Sequence, residues 1–227
     1  MKTVGILGGF GPQTTAKFYE EVFFSSQKLN PTIKPHILIS SVSLPFEIEE
    51  TSILKNEGVE RYLPYLILEA QRLEKAGANF IVLPCNSLHI HIDALITSVQ
   101  IPFLSILEET AQFLLQRKIQ KVGILSTAMT AQHRLYETEL ANYQIFCQIP
   151  NTEQQNLLNE IVFRLVNGKS ESEDRDILIE IMQTFVDIEC ILLACTDLQL
   201  LDPKLSGTQI YDTMKILADS TVREILS

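Results

Sequence analysis

Short, uninterrupted apolar runs alternate with amphipathic stretches along the whole chain. Val4–Leu7 opens into a glycine turn, and Phe80–Cys85 and Cys190–Cys195 are bounded by polar residues, the pattern of strands buried on both faces, as in parallel sheets. His36–Ser41 and Ile145–Ile149 read as further strands, and Phe103–Ile106 is a short apolar run after Pro102. Between them lie helical stripes. Phe18, Tyr19, Val22 and Phe23 share one face of a helix entered through Pro12. Further helices are predicted over Arg61–Lys75 (stopped by Gly77), Leu88–Val99, Glu108–Arg117, through Leu135, Tyr136 and Leu140, over Glu153–Val166 (stopped by Gly168), and over Asp212–Leu226. A capping box, Ser170-x-x-Glu173, is expected to open a helix reaching Val186. Ser43–Gly58, with Glu47, Glu49, Glu50 and Glu57, reads as a solvated acidic loop. Alternating strands and helices predict an α/β fold with parallel sheets.

The pattern repeats. At an offset of 118, Lys2-Thr3-Val4-Gly5-Ile6-Leu7-Gly8 lies over Gln120-Lys121-Val122-Gly123-Ile124-Leu125-Ser126. At an offset of 110, Phe80-Ile81-Val82-Leu83-Pro84-Cys85 lies over Cys190-Ile191-Leu192-Leu193-Ala194-Cys195. An internal duplication follows: two α/β domains about a pseudo-twofold axis, expected over 1–99 plus 208–227 and over 100–207. Such an axis, bringing the carboxyl edges of both sheets together, sets Cys85 opposite Cys195 across a cleft, where open α/β sheets place their ligands.

Two thiols facing one substrate can serve as acid and base on opposite faces of a carbon, inverting it without a cofactor. Amide groups at a strand-to-helix turn help a thiol ionise. His89, four residues after Cys85, suits either orienting that thiol or capping and packing. Asp197 suits tuning Cys195, hydrogen-bonding a substrate amine, or capping. Cys147 and Cys190 read as core residues, the common fate of an unpaired cysteine. The turn Gly8-Gly9-Phe10-Gly11-Pro12 lets backbone approach a ligand closely, but lacks the spacing of a dinucleotide or P-loop motif.

Composition narrows the partners. A net charge of −10 over 227 residues argues against nucleic acid. No apolar run approaches a membrane span and no signal-peptide pattern opens the chain, so a cytoplasmic protein with no membrane partner is expected. Four scattered cysteines without a Cys-x-x-Cys pair predict free thiols and no metal site.

Taken together, Gly8-Gly9-Phe10-Gly11-Pro12 with Thr15, Cys85-Asn86-Ser87-x-His89, and Cys195-Thr196-Asp197 resemble the cofactor-independent aspartate/glutamate racemase family along the whole chain. The resemblance implies two pseudo-symmetric Rossmann-like domains with the active site in the cleft between them, catalysis by Cys85 and Cys195, no pyridoxal phosphate, a small amino-acid substrate such as aspartate or glutamate, and a homodimer. It further implies substrate contacts from Gly9, Phe10, Thr15, Asn86, Ser87, Thr127 and Thr196. Ser87, Ala194 and Asp197 stand where the family usually has threonine, glycine and glutamate. Aspartate racemases of the family tend to hold the side-chain carboxylate with an arginine after the second strand. The stretch from Ser43 to Thr51 contains no cation, which leaves Arg164 and Lys169 as candidates for that carboxylate. Related reaction classes are a diacid isomerase or decarboxylase, or a ligand-binding protein without turnover.

Overall fold

The computed structural model describes residues 1–227. Two parallel sheets carry the chain. The first is built from β1 (Val4–Gly8), β2 (Ile37–Ser41), β3 (Phe80–Val82) and β4 (Phe103–Leu104), the second from β5 (Lys121–Ser126), β6 (Phe146–Gln148), β7 (Cys190–Ala194) and β8 (Gln209–Asp212). Their orders are β2-β1-β3-β4 and β6-β5-β7-β8. The registers reproduce the sequence repeat: Val4 pairs with Phe80 and Ile37, and Val122 with Cys190 and Cys147.

The helices are α1 (Pro12–Leu29), α2 (Phe46–Lys55), α3 (Leu63–Lys75), α4 (Ile92–Ser98), α5 (Ile106–Gln116), α6 (Ala128–Gln132), α7 (Leu135–Ala141), α8 (Thr152–Val166), α9 (Asp174–Gln183) and α10 (Thr213–Leu226). Alternate side chains of each strand serve different layers, as the period of two requires. Val4, Ile6, Phe80 and Val82 of the first sheet and Val122, Ile124, Cys190 and Leu192 of the second join one apolar cluster. Phe18 and Val22 of α1, Leu114 of α5, Leu140 of α7 and Leu217 and Val222 of α10 fill the space between the sheets. The opposite faces bury Leu7 and Ile81 against α3 and α4, and Ile191 and Leu193 against α8 and α9. The result is five layers: helices, sheet, shared helices, sheet, helices. No helix is long and apolar enough to cross a membrane.

Three sequence expectations change. The strands divide the chain once, between β4 and β5, rather than at 99/100 and 207/208. Phe103–Leu104 belongs to the first sheet, Gln209–Asp212 to the second, and α10 to the shared layer. The stretch read as an acidic loop contains α2, which follows Pro45, carries Glu47 and Glu49 in its first turn and Lys55 in its last, and ends on Asn56 in the left-handed region. Those are ordinary start and stop signals. The expected capping box is not formed: α9 starts at Asp174 without a side-chain cap from its preceding residue and stops at Gln183. The Asp174 carboxylate takes over, accepting from the Glu171 amide at 2.8 Å.

Candidate active site

Order 2-1-3-4 reverses direction between β1 and β3, and the second sheet does so between β5 and β7. Ligands of open parallel sheets bind outside the strand carboxyl ends at such switch points. Here the turns after all four of these strands meet around one cavity. It is lined by Phe10 after β1, Cys85–Leu88 after β3, Thr127 and Met129 after β5, and Cys195–Asp197 after β7. Glu49, Ser52 and Ile53 of α2, with Asn56 at its end and Tyr62, cover it from the first domain, and Asn159, Val162 and Val166 of α8 from the second.

The cysteines occupy equivalent positions. Amides of Ser87 and Leu88 donate toward the Cys85 sulfur, and those of Asp197 and Leu198 toward the Cys195 sulfur. These donors favour thiolate, yet burial outweighs them. Burial, with the Asp197 and Glu49 carboxylates adding to it, pushes Cys85 up to about 12. Burial and then Asp197 push Cys195 well above the usual thiol range. Both shifts favour the thiol form at neutral pH.

The side chains around them are tied across the domains. Asn86 accepts at Oδ1 from Tyr136 Oη at 2.5 Å and from Thr213 Oγ1 at 3.3 Å. Its Nδ2 is buried with no partner. A buried amide left with a free donor is rare in a folded protein and points to a ligand acceptor. The Ser87 hydroxyl contacts those of Thr127 at 2.8 Å and Thr130 at 3.1 Å. Thr14 Oγ1 donates to Asp197 Oδ1 at 2.6 Å, joining α1 to the turn after β7. Gly11 makes this approach possible: its φ is 82°, and a Cβ there would sit 2.9 Å from the same carboxylate oxygen. Burial raises the Asp197 carboxyl to about 6, against a partial offset from Thr14.

His89 does not face the thiols. Its Nε2 accepts from the Ile106 amide at 3.2 Å, so the proton sits on Nδ1 and is donated to the Cys85 carbonyl at 2.8 Å. Burial holds the ring neutral, down at about 4. Of the two roles open to it, the geometry selects packing: it braces the Cys85 turn against the start of α5.

Of the expected contact residues, Phe10, Asn86, Ser87, Thr127 and Thr196 line the cavity. Gly9 and Thr15 lie behind it. The Gly9 amide donates to Thr15 Oγ1 at 3.0 Å, so this pair shapes the glycine turn and presents no free donor. Arg164 and Lys169 are not brought to the cavity. Lys169 is exposed beyond the end of α8. Arg164 grips the fully buried Asp174 carboxylate through Nε, at 3.0 Å, and Nη2. The missed wall residues of α2 follow from reading that segment as a loop, whereas Asn159, Val162 and Val166 lay on a helix whose cavity face no local pattern marks.

Arg164→Ala therefore destabilises the fold by about 2 kcal/mol, the worth of charged hydrogen bonds to a buried carboxylate. Turnover by the folded variant stays within about twofold. Urea unfolding beside steady-state assays checks this; a selective rise in KM would restore Arg164 to the substrate site.

The model for the family described as Asp/Glu/Hydantoin racemase matches residues 7–221. The chain is 30% identical, over 99% of its length and 98% of the relative, to the broad specificity amino-acid racemase RacX of Bacillus subtilis (strain 168). The structure of an aspartate racemase homologue from Pyrococcus horikoshii OT3 superposes with a TM-score of 0.79 at 25% identity, covering all of both chains. That of Picrophilus torridus aspartate racemase gives 0.80 at 22% identity over 99% of this chain and 94% of that one, a likeness of fold. Matched over nearly its whole length, the chain belongs to the Asp/Glu/Hydantoin racemase family.

Proposed function

We propose that the protein is a cofactor-independent amino-acid racemase in which Cys85 and Cys195 exchange the substrate's α-proton from opposite faces. The observation that carries this reading is the pair of thiols lining one cavity, each at the end of an equivalent strand in a different sheet and each receiving two backbone amides. In one direction one sulfur, as thiolate, takes the α-proton while the other thiol delivers its proton to the opposite face. The reverse direction exchanges their roles. The unpartnered Asn86 Nδ2 and the Ser87–Thr127 hydroxyls are suited to the α-carboxylate, and Asp197 to the α-ammonium. An ammonium beside Asp197 offsets the negative field that opposes thiolate formation, so binding lowers the cost of making the base.

Aspartate and glutamate fit this cavity poorly. Their second carboxylate needs a cation, and the lining residues include none; the charged ones are Glu49 and Asp197. The same argument weighs against a diacid isomerase or decarboxylase. The proposed substrate is an amino acid without an acidic side chain.

Incubating the protein with single enantiomers in heavy water tests the proposal: deuterium enters at Cα while optical rotation decays to zero. Failure of every common amino acid to exchange would remove the racemase reading. Assembly as a homodimer is proposed alongside, on the partly exposed aromatic group Tyr19, Phe23 and Phe24 of α1. Light scattering distinguishes it from a 25.7 kDa monomer.

A further inference from the structure

We infer that Glu49 selects the substrate's side chain, and that the side chain it selects carries a positive charge. The inference rests on the racemase reading of the cavity and assigns the part of the substrate that reading leaves open.

Glu49 lies in the first turn of α2 and lines the cavity together with the two cysteines. Its neighbour Glu47 is paired with Arg61 at 2.5 Å. Glu49 itself forms no ion pair and no side-chain hydrogen bond, although it is half-buried. The only other charged wall residue is Asp197, next to Cys195 and suited to the α-ammonium. Glu49 is carried by the covering helix α2 rather than by that turn. Ile53 one turn further along α2 and Val162 and Val166 of α8 give the adjoining wall an aliphatic surface. Asn56 and Asn159 add amides, and the Asn159 oxygen is already committed to the Ala128 amide at 3.0 Å.

An aliphatic trough with an unpaired carboxylate complements a chain of methylenes ending in an ammonium or guanidinium. The methylenes would lie on Ile53, Val162 and Val166, and the cation would meet Glu49. Burial, and then the Asp197 charge, raise the Glu49 carboxyl above the usual range. The cavity thus holds its carboxylate at a disadvantage that a cation relieves. A neutral side chain would leave Glu49 unpaired, and an acidic one would bring a third carboxylate into a space with no cation.

Lysine, norleucine and glutamate separate the possibilities, because the first two differ mainly in the terminal ammonium. For wild type, kcat/KM for α-deuterium exchange is expected to be about tenfold or more higher for lysine than for norleucine, with glutamate lowest. Glu49→Gln should bring the lysine-to-norleucine ratio close to one, whatever happens to overall turnover. Glu49→Lys should place glutamate above lysine. An unchanged ratio in Glu49→Gln, or a wild-type preference for glutamate, overturns the inference. If no amino acid exchanges its α-proton, the racemase reading fails on its own, and calorimetric binding of the same three compounds to wild type and Glu49→Gln decides the role of Glu49. Equal affinities of wild type for lysine and norleucine would then reject it.

Discussion

Cys85→Ser and Cys195→Ser each lower racemisation by about a thousandfold or more, the contribution expected of a positioned proton-transfer group. Serine keeps the shape of the side chain, but its hydroxyl ionises far less readily than a thiol, so the position can no longer serve as base. The two variants differ in a second respect. Each retains one thiol, which can still remove and return the α-proton of the enantiomer presented to its face. One variant should therefore wash solvent deuterium into one enantiomer without inverting it, and the other variant into the opposite enantiomer. Proton NMR of Cα beside circular dichroism measures both events. Wild-type racemisation by either variant would mean that one thiol suffices, and would end the two-sided mechanism.

Asp197→Asn makes the protein less active and more stable. The loss is about a hundredfold in kcat/KM, the worth of one charged hydrogen bond to the substrate ammonium. The pH profile carries the signature. In the proposed mechanism Asp197 meets the ammonium as a carboxylate, and burial raises its carboxyl to about 6. The wild-type kcat/KM should therefore fall as pH drops through about 6, while the variant shows no limb there. Stability runs the other way. A carboxyl raised on folding stabilises the native state below its unfolded value, near 3.8, and that contribution is lost as pH rises through 6. Above pH 6 the ionised side chain costs on the order of 3 kcal/mol, which asparagine avoids while still accepting from Thr14. Equal melting temperatures at pH 8 would contradict the assigned burial; a surviving acid limb near 6 would move the titrating group elsewhere.

The two-sheet architecture was legible because strands buried on both faces are continuous apolar runs, and because the chain states its pattern twice. The equivalent positions of Cys85 and Cys195 on one cavity were legible for the same reason: one apolar run ending in a thiol is common, two in equivalent positions are informative. β4 and β8 were hard to see because two and four residues carry no measurable period, and Gln209–Asp212 leads directly into α10. Glu49 was hidden by its surroundings. Four acidic residues between Ser43 and Gly58 resemble a solvated stretch, and only the tertiary fold turns one of them inward. Arg164 failed in the opposite way. A lone arginine near an expected acidic ligand invites pairing with it, but Asp174 on the next helix competes and wins.

The helical layer shared by the sheets governs how the molecule comes apart as well as how it is built. Neither half owns a complete interior: Met214, Leu217, Ala218, Val222 and Ile225 of the last helix close a cluster containing strands of both. The halves are therefore expected to unfold as one cooperative unit, despite their repeated sequence pattern. In the proposed mechanism the separation of Cys85 from Cys195 rests on this packed layer, because the strands that lead to them are buried in it. A methylene removed from α10, well away from either thiol, is therefore expected to alter how a substrate carbon fits between the two cysteines.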